Sequence, residues 1–210
     1  MAGQPASLTV NEDLLSLYEA AGRPVYRLYE PEGLSIVLGA GRKAEEDVIG
    51  AHARADGVEI LRRRGGGGTV VLGPGQAVLA LVTEVASPFN NVGYFRAIND
   101  WIRRALEPFG FAAIEHRGIS DLAIGDRKIL GTSLYRRRQL LFYQGSLLVD
   151  LDLALFDRYL LHPSRVPEYR GSRGHREFCT TLRRAGYAGT VSEVLEALQP
   201  VVEAGLAALR

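Results

Sequence analysis

Three arginines run directly into four glycines across residues 62–68, and a short apolar run follows at 69–72. Glycine has no Cβ, so its backbone N–H groups stand open and the chain can curl tightly around a ligand. Successive N–H groups that turn inward form a concave site for anions. Arg62, Arg63 and Arg64 add planar, fork-shaped donors that match a carboxylate or a phosphate. These residue types suit the gripping of one or two anionic groups by Arg63, Arg64, Gly65, Gly66, Gly67, Gly68 and Thr69. A flexible glycine loop beside a solvated basic patch has the same composition, and both readings stay open on these residues alone. The stretch lacks the Gly-Lys-Ser/Thr ending of a nucleotide P-loop, and no helix opens behind it as in a dinucleotide fingerprint.

A second basic centre lies within residues 120–134. Lys128 follows the tight-turn pair Gly125-Asp126 and opens an apolar strand. Strict alternation puts Lys128 and Leu130 on one side of that strand, with Arg127 and Ile129 on the other. A lysine in that position is either a surface residue whose stem covers apolar neighbours or a desolvated positive charge beside a reacting anion.

The elements that must position these groups follow from periodicity. Residues 7–21 read as a helix stopped by Gly22-Arg23-Pro24. Residues 24–30 alternate as a strand, and 34–40 form a nearly continuous apolar run, as in a strand covered on both faces. A helix over 45–56 and a short strand over 58–62 lead into the glycines. Residues 69–72 and 77–84 bracket a Gly-Pro-Gly-Gln turn and read as a hairpin-like pair. The amphipathic helix over 91–109 has Tyr94, Ile98, Trp101, Ile102 and Leu106 as its inner stripe. Four strands come next, at 112–116, 120–125, 127–137 and 139–152. A short helix over 153–161, a polar loop over 163–178 and a closing helix over 190–209 complete the chain. Strands cluster between helices without strict alternation, which points to a mixed α/β sheet with flanking helices.

The 210 residues suffice for one domain with a proper core. The apolar fraction is 47% and the charged fraction 23%, both ordinary for a globular protein. A net charge of +1 lacks the basic excess of a nucleic-acid binder. One cysteine, Cys179, permits neither an internal disulfide nor a cysteine-based metal site, and fits a reducing, cytoplasmic compartment. The first residues do not read as a secretory signal. No apolar run approaches the roughly 20 residues a membrane span needs.

Together the two basic centres resemble the lipoate–protein ligase family, which is grouped with biotin–protein ligases and octanoyltransferases. Arg62-Arg63 and Gly66-Gly67-Gly68-Thr69-Val70 match the family's Arg-Arg and Gly-Gly-Gly-Ala-Val pattern. Ser120-Asp121 stands for its Asn-Asp strand, Lys128-Ile129-Leu130-Gly131-Thr132 for Gly-x-Lys-x-x-Gly-[Ser/Thr], and Tyr143-Gln144-Gly145-Ser146-Leu147-Leu148 for the following strand. Residues 169–182 are similar to its later Arg-x-His-Arg-x-Phe segment. The similarity covers residues 25–182.

The resemblance implies a mixed, largely antiparallel sheet flanked by helices, with 1–210 as one catalytic domain and no accessory domain on this chain. It implies that ATP, with Mg²⁺, converts lipoate or octanoate to acyl-AMP, and that a lysine of a lipoyl carrier domain then takes the acyl group. A separate accessory protein is a possible second partner; nucleic acid and membrane are not expected partners. By this analogy Lys128 is the catalytic residue. Arg63, Arg64, Gly65 to Gly68, Thr69, Asp121, Gly131, Thr132 and Gly145 bind substrate or adenylate, with Asp121 either holding Mg²⁺ or orienting adenine. The apolar runs at 70–72 and 78–82 are candidates for lining the acyl slot.

Three departures from the family pattern stand out. Val71-Leu72-Gly73 replaces its Tyr/Phe-His-Asp, Gly39-Ala40-Gly41-Arg42 replaces its Gly-Arg-x-Gln, and no cysteine precedes the lysine strand as in one octanoyltransferase branch. Cys179 sits where the ligases carry valine, which suits packing, and the neighbouring His175 suits a structural role. The alternatives are a transferase that takes its acyl group from an acyl carrier without ATP, and a non-catalytic homologue that binds acyl or adenylate groups.

Overall fold

The computed structural model describes residues 10–87 and 89–209. Residues 7–9 of the first expected helix lie outside them; within them that helix, α1, spans Asp13–Ala21 and is closed by Gly22 in the left-handed conformation. The strands in chain order are β1 (Val25–Tyr29), β2 (Ser35–Leu38), β3 (Glu59–Arg62), β4 (Val70–Leu72), β5 (Gln76–Glu84), β6 (Ile114–Arg117), β7 (Asp121–Ile124), β8 (Arg127–Arg137) and β9 (Leu140–Leu148). The other helices are α2 (Ala44–Asp47), α3 (Gly50–Ala55), α4 (Asn91–Leu106), α5 (Ala154–Tyr159), α6 (His175–Phe178) and α7 (Val191–Ala208). One sheet has six antiparallel strands in the order β1-β5-β9-β8-β7-β6, and a smaller one has the order β3-β2-β4. The expected mixed α/β architecture holds: β2 is parallel to β3 and antiparallel to β4.

The hairpin expected from 69–84 does not form. β4 joins β2 in the small sheet, whereas β5 pairs with β1 and β9 in the large one. The Gly73–Gly75 bend is therefore a crossover between sheets. Gly75 takes a positive φ of 91°, and its carbonyl accepts from the N–H groups of Val149 and Asp150. The helix expected over 45–56 also breaks, into α2 and α3. Val48 bridges to Leu160, Ile49 N–H donates to the Tyr159 carbonyl at 2.8 Å, and Leu161 N–H donates to the Asp47 carbonyl at 2.9 Å. Bonding to the end of α5 replaces the helical bonds those residues would otherwise make.

The main core lies between the large sheet and the helices α4 and α7, and all five residues of the expected stripe on α4 are buried there. A second core, under the small sheet, takes in Ile36, Val71, Leu153, Phe156 and Phe178. Helix α7 starts at a reciprocal cap: Glu193 N–H donates to Thr190 Oγ1 at 3.2 Å, and Thr190 N–H donates to Glu193 Oε2 at 2.6 Å. Such a pair satisfies two donors that a helix start leaves open.

Gly125, at φ 60°, forms the tight turn between β7 and β8, as expected. Beyond it the register slips by one: Ala123 faces Lys128 but Leu122 faces Leu130, so Ile129 is the extra residue of a bulge. A bulge re-aims the side chains beside it. Strict alternation therefore fails at Ile129, and the Lys128 side chain lies over Gly131, where an added Cβ would come within 3.1 Å of Lys128 Cε and 3.2 Å of Nζ.

Candidate functional site

The glycine stretch connects β3 to β4 and folds back on the end of β2. An added Cβ at Gly39 would sit 2.1 Å from the Gly67 carbonyl oxygen, so bare backbone is required where the two segments touch. Gly67 itself has φ 95°. Arg63, only 6% exposed, stitches this bend from inside: Nη1 donates to the Val37 carbonyl at 3.3 Å, and Nη2 donates to the carbonyls of Gly66 at 2.8 Å and Gly68 at 2.7 Å. Burial without a counter-charge pushes its guanidinium down to about 10, still cationic at neutral pH. Arg62 ties the neighbouring 39–42 loop instead, with Nη1 donating to the carbonyls of Gly39 and Arg42 at 3.0 and 2.7 Å. Arg64 points elsewhere, paired with Glu12 and lying over the Tyr135 ring. Gly65 rests on β8, where an added Cβ would meet Ser133 Oγ at 2.8 Å. Glycine loop and lysine strand are thus packed against each other.

Lys128 Nζ donates to Asp121 Oδ1 at 2.7 Å, with both side chains largely buried. Asp121 Oδ2 accepts from Tyr169 Oη at 2.8 Å. Tyr169 lies on a short 3-10 turn, Glu168–Arg170, within the 163–178 segment. Arg173 secures that turn to the Gly125-Asp126 hairpin: its guanidinium donates to the Asp126 carbonyl at 3.0 Å, to Asp126 Oδ2 at 2.8 Å and to the Tyr169 carbonyl at 2.5 Å. Thr180 N–H then donates to the Lys128 carbonyl at 2.9 Å, and residue 179 bridges to Lys128 in parallel. The segment expected as a polar loop is therefore a strap across the start of β8, and it ends in α6.

Between the two sheets and this strap lies a cavity of about 240 Å³. Gly68, Thr69, Lys128, Gly131, Thr132 and Gly145 border it. Its apolar wall comes from Val37, Val70, Val71 and Leu72 of the small sheet and from Val78 and Leu148 of the large one. A mostly apolar slot with a few converging polar groups is the usual form of a small-molecule site. Of the apolar runs expected to line it, 70–72 does so throughout, whereas 78–82 contributes Val78. Arg63 borders the cavity too, but its donors are directed at loop carbonyls. Arg64, Gly65, Gly66 and Gly67 are not part of its lining.

Sequence reading gave no role to several bordering groups, among them Arg170, Asp47, Gln76 and Gln144. Arg170 is 5% exposed, stacks over the Phe178 ring at 4.9 Å and donates from Nε to the Arg173 carbonyl at 3.0 Å. Its Nη2 is buried without a partner, and burial lowers the guanidinium. Asp47, 4% exposed, is paired with Arg42 and accepts from Thr69 Oγ1; the Arg42 and Thr69 bonds hold its carboxyl below the usual range against the opposing effect of burial. Gln76 accepts from Gly73 N–H at 2.8 Å, and Gln144 donates to the Val10 carbonyl at 3.0 Å. Arg170, Gln76 and Gln144 lay in stretches whose pattern had been noticed, but none was given a role there, and Asp47 lay outside every motif; only the fold turns them toward one space.

Cys179 borders the cavity as a buried thiol, pushed up to about 11 by desolvation. His175 is lowered by burial, and its Nε2 lies 3.2 Å from the Leu161 carbonyl. Arg42, left open as either a ligand cation or an exposed residue, is engaged by Asp47 and Ser164. Among the described residues no cluster of three His, Cys, Asp or Glu side chains could hold a metal ion. Asp121 is bonded through one oxygen to Lys128 and through the other to Tyr169. No described helix is long and apolar enough to cross a membrane.

Residues 5–203 match the family described as the lipoyl protein ligase A/B catalytic domain. A lipoate–protein ligase of Staphylococcus aureus is 27% identical over 128 residues, 61% of this chain and 38% of that protein. An octanoyltransferase, LipM, of Symbiobacterium thermophilum is 32% identical over 84 residues, 39% of this chain and 31% of that one. The matched segments thus span between about a third and two fifths of these two relatives. Among solved structures, a bi-partite lipoate protein ligase from Thermoplasma acidophilum, described with its E2 lipoyl domain, superposes with a TM-score of 0.76 at 22% identity, covering 97% of this chain and 84% of that one. A likeness at that identity bears on the fold.

Proposed function

The chain belongs to the lipoyl protein ligase A/B catalytic-domain family, and from that footing we propose that it activates lipoate or octanoate with ATP as acyl-AMP and passes the acyl group to a lysine of a lipoyl carrier domain. The observation that carries this reading is the single cavity bordered by Lys128, by the Gly68-Thr69 end of the glycine bend and by an apolar slot of valines and leucines. An acyl tail fits the slot, and an acid being joined to a nucleotide fits the polar end.

In the first step a carboxylate oxygen attacks the α-phosphorus and pyrophosphate leaves. Two anions must come within about 3.5 Å for this. The Lys128 ammonium, swung over Gly131 by the bulge, is placed to bridge the carboxylate and the α-phosphate. N–H groups at the end of the glycine bend donate to the same charge, and Arg63 preserves the shape of that bend. Arg170 supplies its unpartnered Nη2 from the strap side. Magnesium, carried on the nucleotide phosphates, would add charge neutralisation there. In the second step the carrier lysine, as the free amine, attacks the acyl carbon; the C–O bond breaks, AMP leaves and a proton is released. Lys128 then stabilises the departing phosphate.

The chain works as a single catalytic domain in the cytoplasm. Its partners are a lipoyl carrier domain and, as in the bi-partite Thermoplasma ligase, a separate subunit. A second reading is a transferase that forms a thioester at a cysteine; the octanoyltransferase relative and the position of Cys179 at the cavity favour it. Incubation of the protein with lipoate or octanoate, ATP and an apo carrier domain separates the two. Pyrophosphate release and carrier acylation are expected, with Lys128→Ala losing about a hundredfold or more in rate, the usual cost of one such group. Should acylation proceed only from an acyl carrier donor and without ATP, the ligase reading fails.

A further inference from the structure

We infer that Tyr169 is a positioning residue that acts through Asp121 to aim the Lys128 amine into the cavity. The inference rests on the proposed role of Lys128 and extends it to the strap. Lys128 has a long stem, and its backbone alone does not fix where the ammonium points. Two things fix it here: the bare surface of Gly131 beneath its Cε and Nζ, and the 2.7 Å bond to Asp121 Oδ1. Asp121 is itself free to turn about its side-chain torsions unless its second oxygen is held. Tyr169 Oη holds it, at 2.8 Å.

The tyrosine is fixed in turn on three sides. Its ring packs on Phe178, with centroids 5.0 Å apart. The strap presses it against Gly118, where an added Cβ would touch the ring at 3.5 Å. Its carbonyl accepts from Arg173, which grips the hairpin turn just before Lys128. Burial and the adjacent Asp121 carboxylate raise the phenol far above its ordinary value, so it remains a donor across the working pH range. Hydroxyl, carboxylate and ammonium form one chain of charge-assisted bonds, and members of such a chain act as a unit. Asp121 thereby serves as a hinge between strap and lysine.

Tyr169→Phe removes the hydroxyl and keeps the ring, so the packing on Phe178 and Gly118 survives. The test is a double-mutant cycle of Tyr169→Phe and Asp121→Asn, read in single-turnover acyl-AMP formation and in the rate at which acetic anhydride labels Lys128, followed by mass spectrometry. Tyr169→Phe is expected to slow acyl-AMP formation about ten- to a hundredfold, the range for losing a hydrogen bond to a charged group, with the KM for the acid changed less than threefold. Lys128 labelling is expected to quicken in both single variants. In the Asp121→Asn background Tyr169→Phe is expected to add no further change in either readout. Multiplying effects of the two substitutions, or wild-type labelling of Lys128 in Tyr169→Phe, would overturn the inference. An active Lys128→Ala enzyme would instead overturn the role proposed for Lys128, and the labelling cycle would still decide whether the tyrosine holds its amine.

Discussion

Arg170 is buried with one guanidinium nitrogen, Nη2, left without a partner, a donor that an anionic ligand fits. A guanidinium nitrogen with no partner costs about 1–3 kcal/mol, and a buried cation without a counter-charge costs more. The strap keeps it there, over Phe178 and at the edge of the cavity. Arg170→Met keeps the length and discards the charge. Its expected signature is split: an unchanged or raised melting temperature, and affinity for a non-hydrolysable acyl-adenylate weakened about ten- to a hundredfold by calorimetry, as for a lost charge-assisted bond. A variant that binds normally would leave Arg170 a structural residue. Cys179 gives the opposite case. With its thiol pushed up to about 11, almost no thiolate exists near neutrality, and the thiolate is the nucleophile. Cys179→Ala is therefore expected to retain carrier acylation within a few-fold, with no acyl-thioester trapped on the wild-type chain by mass spectrometry. At this scale the sequence was legible where a residue sits on a strand: Lys128 could be placed at the start of β8 in advance, but not the direction of its amine. Tyr169, Asp47 and Arg170 act from turns and short helices, whose direction no periodicity records.

Among the elements, the strands and long helices were legible because each carries its own period; α4 and α7 were expected almost to the residue. The pairing of 69–84 was misread because a Gly-Pro-Gly bend serves equally as a hairpin turn and as a crossover between sheets. What decided it was the edge of β2, which took β4, and the space between β1 and β9, which took β5. The bulge at Ile129 left no sequence signal, yet it sets where the Lys128 amine lies. Two close approaches between elements invite measurement. At Gly205 of α7 an added Cβ would lie 2.2 Å from the Trp101 indole of α4. Overpacking of this kind costs about 1–3 kcal/mol, so Gly205→Ala is expected to lower the melting temperature by roughly 2–12 °C while ligand affinity stays close to wild type. Gly39→Ala pushes instead on the glycine bend. It is expected to weaken acyl-adenylate binding more than its effect on the melting temperature would suggest, because the displaced carbonyl belongs to the bend that Arg63 holds.

On the scale of the whole molecule, the cavity is where the two sheets meet. Val37, Val70 and Val71 wall it from the small sheet, Val78 and Leu148 from the large one, and the strap lies across the polar end. One buried cluster lies against the large sheet and another under the small one, Val37, Leu72 and Val78 join the two sheets in a further cluster, and Gly73–Gly75 links them covalently. A ligand that spans the slot adds contacts between the sheets where the cavity interrupts that packing, and voids forgo the dispersion contacts their walls could make. Binding to the native state alone stabilises by RT ln(1 + [L]/Kd), about 2.7 kcal/mol at a hundredfold excess over Kd. For a chain of this size that is a rise of roughly 5–11 °C in melting temperature. A non-hydrolysable octanoyl-adenylate is expected to produce that rise, and octanoate alone, which fills the slot without the nucleotide end and so has the larger Kd, a smaller one at the same concentration. Hydrogen exchange carries the sharper test. If the ligand couples the sheets, amides of β4 and of β9 gain protection together, and the strap around Tyr169 slows with them. Protection confined to one sheet would mean that the slot is a surface groove of that sheet, and the adenylate site would have to be sought elsewhere on the fold.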